Sequence, residues 1–218
     1  MAPPRLRALR AGPARDDERK ADKRELILDA ATRVFARSGF FNAQVADVAR
    51  AAGVAAGTVY LYFRGKDDLL VSLFERTMRQ AIAQGREALA GVDGPIERLR
   101  RIARLHLERL GRDRDLAVVF QVELRQSTKF MERFSATYLR EYLGIIREAI
   151  AEGQAQRLLR ADVNPTLAAK AIFGALDEMA TNWVLSPRKY DLSAESDVVV
   201  DLIVSGAKAR SARPASRG

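Results

Sequence analysis

Apolar residues along this chain recur at the 3.6-residue period of an α-helix and nowhere alternate at the two-residue period of a strand, so its 218 residues are expected to fold as packed helices alone. Where the pattern breaks, the residue at the break is a helix terminator. The first stripe, Ile27, Ala31, Val34 and Phe35, stops near Ser38-Gly39. The second, Val45, Val48, Ala49 and Ala52, lasts about two turns and is closed by Gly53, a residue that accepts a left-handed cap without steric cost. A third short helix lies within GVAAGTVYLYFRGK (residues 53–66), and Lys66-Asp67-Asp68 opens a long fourth with acidic residues where the helix dipole favours them. Gly94-Pro95 starts the next with proline at its first position, and Gly111 to Asp113 breaks it. A segment from about 115 to 127 leads into a long helix of roughly 129–156, Asn164-Pro165 opens another that Ser186-Pro187 ends, and a last one covers about 193–209. The expectation is an all-α chain of about nine helices, short ones first, with no internal repeat.

Two short helices joined through a glycine turn and braced by a longer one form the helix-turn-helix pattern, whose second helix enters the DNA major groove. Val59 and Phe63, four apart, face the first two helices, which leaves Thr58, Tyr60, Leu61 and Tyr62 on the other faces. Hydroxyls donate to phosphate oxygens, Thr58 sits where first-turn N–H groups are free for an anion, and Leu61 suits a thymine methyl. Gly57 lets the backbone approach a duplex, and Lys66, beside Arg64, offers a phosphate contact. The competing reading makes Tyr60 and Tyr62 half-buried core residues with their hydroxyls in water.

Charge supports a polyanionic partner. Of the net +9, the two ends hold +8: residues 1–24 carry eight basic and four acidic side chains, and residues 206–218 four basic and none acidic. Residues 25–70 balance five against five. The segment 1–21 has no helical period and is expected to be a disordered basic arm, whose Arg5, Arg7, Arg10, Arg15, Arg19 and Lys20, with Lys23 and Arg24, supply non-specific attraction and reach toward the minor groove. The tail 211–218 either does the same or only solubilises.

Other chemistries are excluded by what is missing. No apolar run reaches the roughly 18 to 20 residues that cross a bilayer, so a cytoplasmic protein with no membrane partner is expected. The chain has no cysteine, hence no disulfide, thiolate zinc site or cysteine nucleophile. Its one histidine, His106, lies among Leu, Arg and Glu and reads as a cavity or core-edge residue. Asp177 and Glu178 are adjacent on a helix and point about 100° apart, which does not make an acid–base dyad. With no nucleophile elbow, phosphate-cradling glycine loop or metal-ligand spacing, neither an enzyme nor a cofactor or metal is expected.

The run ILDAATRVFARSGFFNAQVADVARAAGVAAGTVYLYFRGKDDLL resembles the DNA-binding signature of the TetR family of bacterial repressors across roughly residues 24–70. The resemblance implies a homodimer on a palindromic operator, with a helix-turn-helix domain over 22–70 and an all-α ligand-binding and dimerisation domain over 71–210. It implies DNA contacts from Val45 and Ala46 of the second helix and from Ala56, Gly57, Thr58, Tyr60, Leu61, Tyr62 and Lys66. Gln44 departs from the Ser or Thr that many members carry, so base readout looks thin.

In the second half, Phe120, Phe130, Phe134, Tyr138, Phe173, Met179 and Trp183 give more bulk than an amphipathic bundle needs, with Gln121, Arg125 and Lys129 four apart beside them. An apolar cavity with a cationic mouth and an ordinary aromatic core under a basic ridge are both compatible with that spacing. The stretches VFQVELRQSTKFMERFSATYLREYLGIIREAIAEGQ and AAKAIFGALDEMATNWVLS resemble FadR-type members of the family, which bind long-chain acyl-CoA and release DNA. That implies an acyl tunnel along Phe120, Leu124, Phe130, Phe134, Tyr138, Phe173 and Leu176, with Arg125 and Lys129 near the phosphates and Arg104, Gln121 and Asp177 completing the set. A repressor of a drug-like apolar compound is the second reading, and a hydrolase or acyl-carrier module the third. Leu167, Ala168, Ala171, Ile172, Ala175, Leu176 and Met179, with Val198, Val199, Leu202 and Ile203, form two apolar stripes suited to a four-helix dimer interface. The fourth helix, running from the recognition helix into the ligand domain, is the expected lever.

Overall fold

A computed structural model describes residues 13–126, 132 and 135–207, and nine α-helices with no β-sheet are found among them. They are α1 (Pro13–Ser38), α2 (Val45–Ala52), α3 (Ala56–Tyr60), α4 (Lys66–Leu89), α5 (Pro95–Arg112), α6 (Arg114–Val118), α7 (Arg140–Ala155), α8 (Pro165–Leu185) and α9 (Ser196–Ala207). Between α6 and α7 the backbone widens into a π-helical turn, Val119–Glu123, then a 3₁₀ turn, Leu124–Gln126, and a second π turn, Ser135–Leu139, feeds α7.

The terminators act as their chemistry requires. Gly53 has φ 67° and its N–H closes onto the carbonyls of Ala49 and Arg50. The Asn164 carboxamide oxygen accepts from the N–H groups of Thr166 (2.9 Å) and Leu167 (3.2 Å), capping α8 in front of its proline. Gly153 of α7 is required by space: a Cβ there would stand 2.8 Å from Leu159 Cδ1.

One expectation is corrected at the N-terminus. Residues 13–21 are already helical as part of α1, and the rest of the expected arm, residues 1–12, lies outside those described. Nothing apolar marks those turns, yet extension of an existing helix adds a bond per residue without a new nucleus.

Ile27, Leu28, Ala31 and Phe35 of α1 are fully buried against Val48 and Ala49 of α2, Val59 and Phe63 beside α3, and Leu69, Leu70 and Leu73 of α4. In the second half α5 packs on α7 and α9, and α7 on α8. The two halves are tied by side chains: Arg76 of α4 pairs with Glu25 (2.9 Å) and Asp29 (2.8 Å) of α1, and Glu123, buried in the π turn, accepts a 2.6 Å hydrogen bond from the N–H of Phe40 in the α1–α2 turn.

Candidate DNA-binding face and ligand cavity

α3 buries Val59 and leaves Tyr60 and Leu61 58% and 82% exposed, so the core reading fails for Tyr60. Ala56, Gly57 and, across the turn, Ala46 are exposed, while Thr58 is partly covered. A Cβ added at Gly57 would meet nothing within 4 Å, so no neighbour in the fold requires glycine there. Val45 and Tyr62 are partly buried against the core. Tyr62 therefore falls between the two readings, and it shares a groove with Arg19, Lys20, Asp22, Lys23 and Leu26 of α1. None of Arg19, Lys20 and Lys23 forms an ion pair with a carboxylate among the described residues, and α1 holds this largely cationic groove beside Tyr62. Gln44 donates its N–H to Asp47 (3.1 Å) at the start of α2, which gives it a capping role.

Lys66 is not free for a phosphate. Its ammonium donates to the carbonyls of Phe41 (2.7 Å), Phe40 (3.1 Å) and Ala43 (3.4 Å) and lies 4.9 Å from the Phe40 ring centre. Those carbonyls lie in the turn between α1 and α2, outside the hydrogen-bond ladder of either helix, and the ammonium satisfies all three at once. Lys66 braces the turn that positions α2.

The second half, together with α4, encloses a cavity of about 430 Å³. Its wall is built by Thr77, Met78, Ala81 and Gln84 of α4, Ile102, Leu105, His106, Arg109 and Leu110 of α5, Phe120, Gln121, Leu124 and Arg125 of the widened turn, Tyr142 and Ile145 of α7, and Phe173 and Asp177 of α8. Six of the expected ligand residues are thus brought together: Phe120, Gln121, Leu124, Arg125, Phe173 and Asp177. Three are not. Arg104 points away, in an ion pair with Asp197 of α9 (2.6 Å). Leu176 is fully buried in the helical core, about 100° round α8 from Asp177. Tyr138 packs on the core one turn before Tyr142, which takes the place on the wall. Lys129, Phe130 and Phe134 lie outside the described residues.

The expected cationic mouth also changes. Arg125 donates to both Asp177 and Gln121 (2.9 Å), and Gln121 in turn donates to Asp177 (3.2 Å) and accepts from the Thr181 hydroxyl (3.0 Å). Its charge is balanced inside the protein. Arg109, in the last turn of α5 and unremarkable in the sequence pattern, lines the same cavity held only by amide oxygens, Gln84 at 2.8 Å and Gln80 at 3.0 Å. Burial first, then the charge of Arg76, lowers its pKa.

His106 and Tyr142 add a neutral polar pair, Nδ1 and the phenol oxygen 2.9 Å apart, with Phe173 edge-on to both rings. Burial pushes the imidazole down to about 4, outweighing the opposing pull of Asp177, and pushes the phenol up. A group charged in the unfolded chain near pH 6.5 and neutral in the fold destabilises it once protons are plentiful. The stability it lends is complete above about pH 6.5 and is lost as pH falls toward 4, on the order of 3 kcal/mol. Thermal melts between pH 7.5 and 4.5 should show this fall, and a His106→Gln variant should flatten it; equal slopes would assign the acid sensitivity elsewhere. Tyr142 and Arg109 carry no separate signal in the sequence, though Arg109 lies three residues after His106 and so shares its face of α5.

Residues 27–73 match the family of bacterial regulatory proteins of the tetR type, and residues 74–206 match the C-terminal region of YsiA-like proteins. The fatty acid metabolism regulator protein of Bacillus subtilis is 39% identical over 189 residues, 87% of this chain and 97% of that protein. The solved structure of the fatty acid degradation regulator FadR from Bacillus halodurans superposes with a TM-score of 0.79 at 38% identity, covering 84% of this chain and 99% of that one. FadR from Bacillus subtilis in complex with stearoyl-CoA gives 0.80 at 39% identity, covering 84% and 98%. Among the described residues no cluster of His, Asp or Glu could hold a metal, and no helix is long and apolar enough to cross a membrane.

Proposed function

We propose that this chain, which belongs to the tetR family of bacterial regulatory proteins, is a repressor that binds palindromic operator DNA as a dimer and lets go of it when a long-chain acyl-CoA fills the cavity. The family and its relatives are transcriptional regulators, so the chain is a regulator and not an enzyme. The observation that carries the ligand is the apolar cavity in a chain 39% identical to a FadR solved with stearoyl-CoA. Control of fatty acid degradation genes, in the cytoplasm, follows from the same likeness.

Dimerisation has support in the exposed halves of the two stripes. Leu167 of α8 is 65% exposed and Leu202 of α9 71%, with Val198 one turn away and Ala171 beside them, whereas Ile172 and Leu176 pack inward. Such unpartnered leucines suit an isologous contact. In the dimer α4 carries cavity movements to α3, and a ligand-bound state that spreads the two recognition helices beyond about 34–36 Å loses the operator.

The direct test is a titration of operator complex, on a palindrome selected from genomic fragments, with acyl-CoAs of rising chain length and with free CoA. Release that strengthens with chain length and is absent with CoA bears the reading out. Release by unrelated apolar compounds, without preference for CoA esters, would favour a drug or other hydrophobic metabolite instead.

The cationic groove makes a separate prediction. Changing Arg19, Lys20 and Lys23 together to Gln should reduce the slope of log affinity against log salt by about 0.9 for each phosphate that is no longer neutralised, with the preferred sequence unchanged. An unaltered slope would take this end of α1 off the DNA path.

A further inference from the structure

Most charged side chains that face the ligand cavity are balanced within the fold. Arg125 is paired with Asp177, and Arg112 with Glu108 at 2.9 Å. Arg109 is the exception: it forms no ion pair with a carboxylate among the described residues, its two contacts are the Gln80 and Gln84 side-chain oxygens, and its buried Nε has no partner. A partly buried cation without a counter-charge is costly, and proteins keep such groups where a ligand supplies the charge. The two glutamines hold the guanidinium in one orientation while leaving its charge uncancelled and part of its fork of donors unused.

We infer that Arg109 is the anion-recognising residue of the cavity, binding an oxyanion, carboxylate or phosphate, attached to the apolar ligand. This rests on the reading of the cavity as a lipid site but names a different anchor from Arg125. It also gives the anion a route to the DNA, because Gln80 and Gln84 stand one turn apart on α4. A ligand oxygen that draws the guanidinium away from them acts directly on the lever helix.

The test compares the parent protein with Arg109→Met and Arg109→Lys, measuring binding of stearoyl-CoA, stearate and uncharged stearyl alcohol by calorimetry and the ligand-free thermal midpoint of each. Arg109→Met should lose about 10- to 100-fold in affinity for an anionic ligand, keep its affinity for the alcohol, and melt no lower than the parent. Arg109→Lys, which keeps the charge and loses the fork, should fall between them. Arg109-dependent binding of stearate but not of the CoA ester would uphold the anion site and remove the acyl-CoA reading. Stearoyl-CoA bound equally by the parent and Arg109→Met would overturn the anion site and leave that reading standing. A lower melting point together with loss of the alcohol would make Arg109 a structural tie between α4 and α5, and a parent that binds none of the three lipids would overturn both.

Discussion

Cutting Tyr60 and Leu61 back to alanine together should weaken operator binding by about 2–4 kcal/mol, roughly 30- to 1,000-fold, and move the thermal midpoint by no more than about 2 °C. Both side chains stand in solvent, 58% and 82% exposed, so their removal takes little from the core. In the operator complex proposed above they would form the centre of a desolvated contact, where truncation costs most. Two residues on, Phe63 is 2% exposed, and Phe63→Ala should cost about 3–5 kcal/mol of folding stability by opening a cavity under α3. The contrast separates recognition from folding within a four-residue stretch. Fluorescence anisotropy on the selected operator, beside calorimetric melts, measures both. Operator affinity unchanged in the double variant would remove α3 from the groove.

Which side chains of that stretch are buried was legible in the sequence, because helical spacing alone says that Val59 and Phe63 share a face and that Tyr60 and Leu61 do not. Helix ends were legible for a similar reason: Gly53, Gly94-Pro95 and Asn164-Pro165 act through local geometry that no tertiary contact needs to complete. Lys66 was not. A lysine beside a recognition helix reads as a phosphate contact, and only the folded turn shows three carbonyls gathered within reach of its ammonium. The cavity divides along the same line. Phe120 and Phe173 read equally well as cavity wall or aromatic core, and Leu124 entered only through the family resemblance; the π turn shifts the register that spacing assumes, and Arg125 meets an acid 52 residues away. Charge balance belongs to the assembled fold, which is why the unbalanced cation could not be picked out among the 37 basic residues of the chain.

On the proposed function, the π turn also bears on how the two halves would communicate. Phe120, Gln121, Leu124 and Arg125 line the cavity, and Glu123 in their midst points the other way, to the Phe40 N–H at 2.6 Å. The carbonyls of Phe40 and Phe41 hold Lys66, the first residue of α4, so one short chain of contacts joins the ligand wall to the turn before α2 and to the base of the lever. π-helical insertions are rare and often mark functional sites, and this one has a buried charge-assisted hydrogen bond at its end. Glu123→Ala should leave affinity for stearoyl-CoA within about threefold of the parent. It should cost about 1.5–3 kcal/mol of stability, because the buried N–H of Phe40 loses its acceptor. Its diagnostic effect is on coupling, which in allosteric proteins is typically about 1–3 kcal/mol and should drop below about 1 kcal/mol. Glu123→Gln, which keeps an acceptor without the charge, should lie between. Coupling is reciprocal, so the measurement has an internal check: on the proposed function, operator DNA weakens acyl-CoA binding by the same factor that acyl-CoA weakens operator binding, in the parent and in each variant. Full coupling in Glu123→Ala would leave α4, clamped to α1 through Arg76, as the carrier of the signal; reduced coupling with ligand affinity intact would assign the signal to the bond between Glu123 and Phe40.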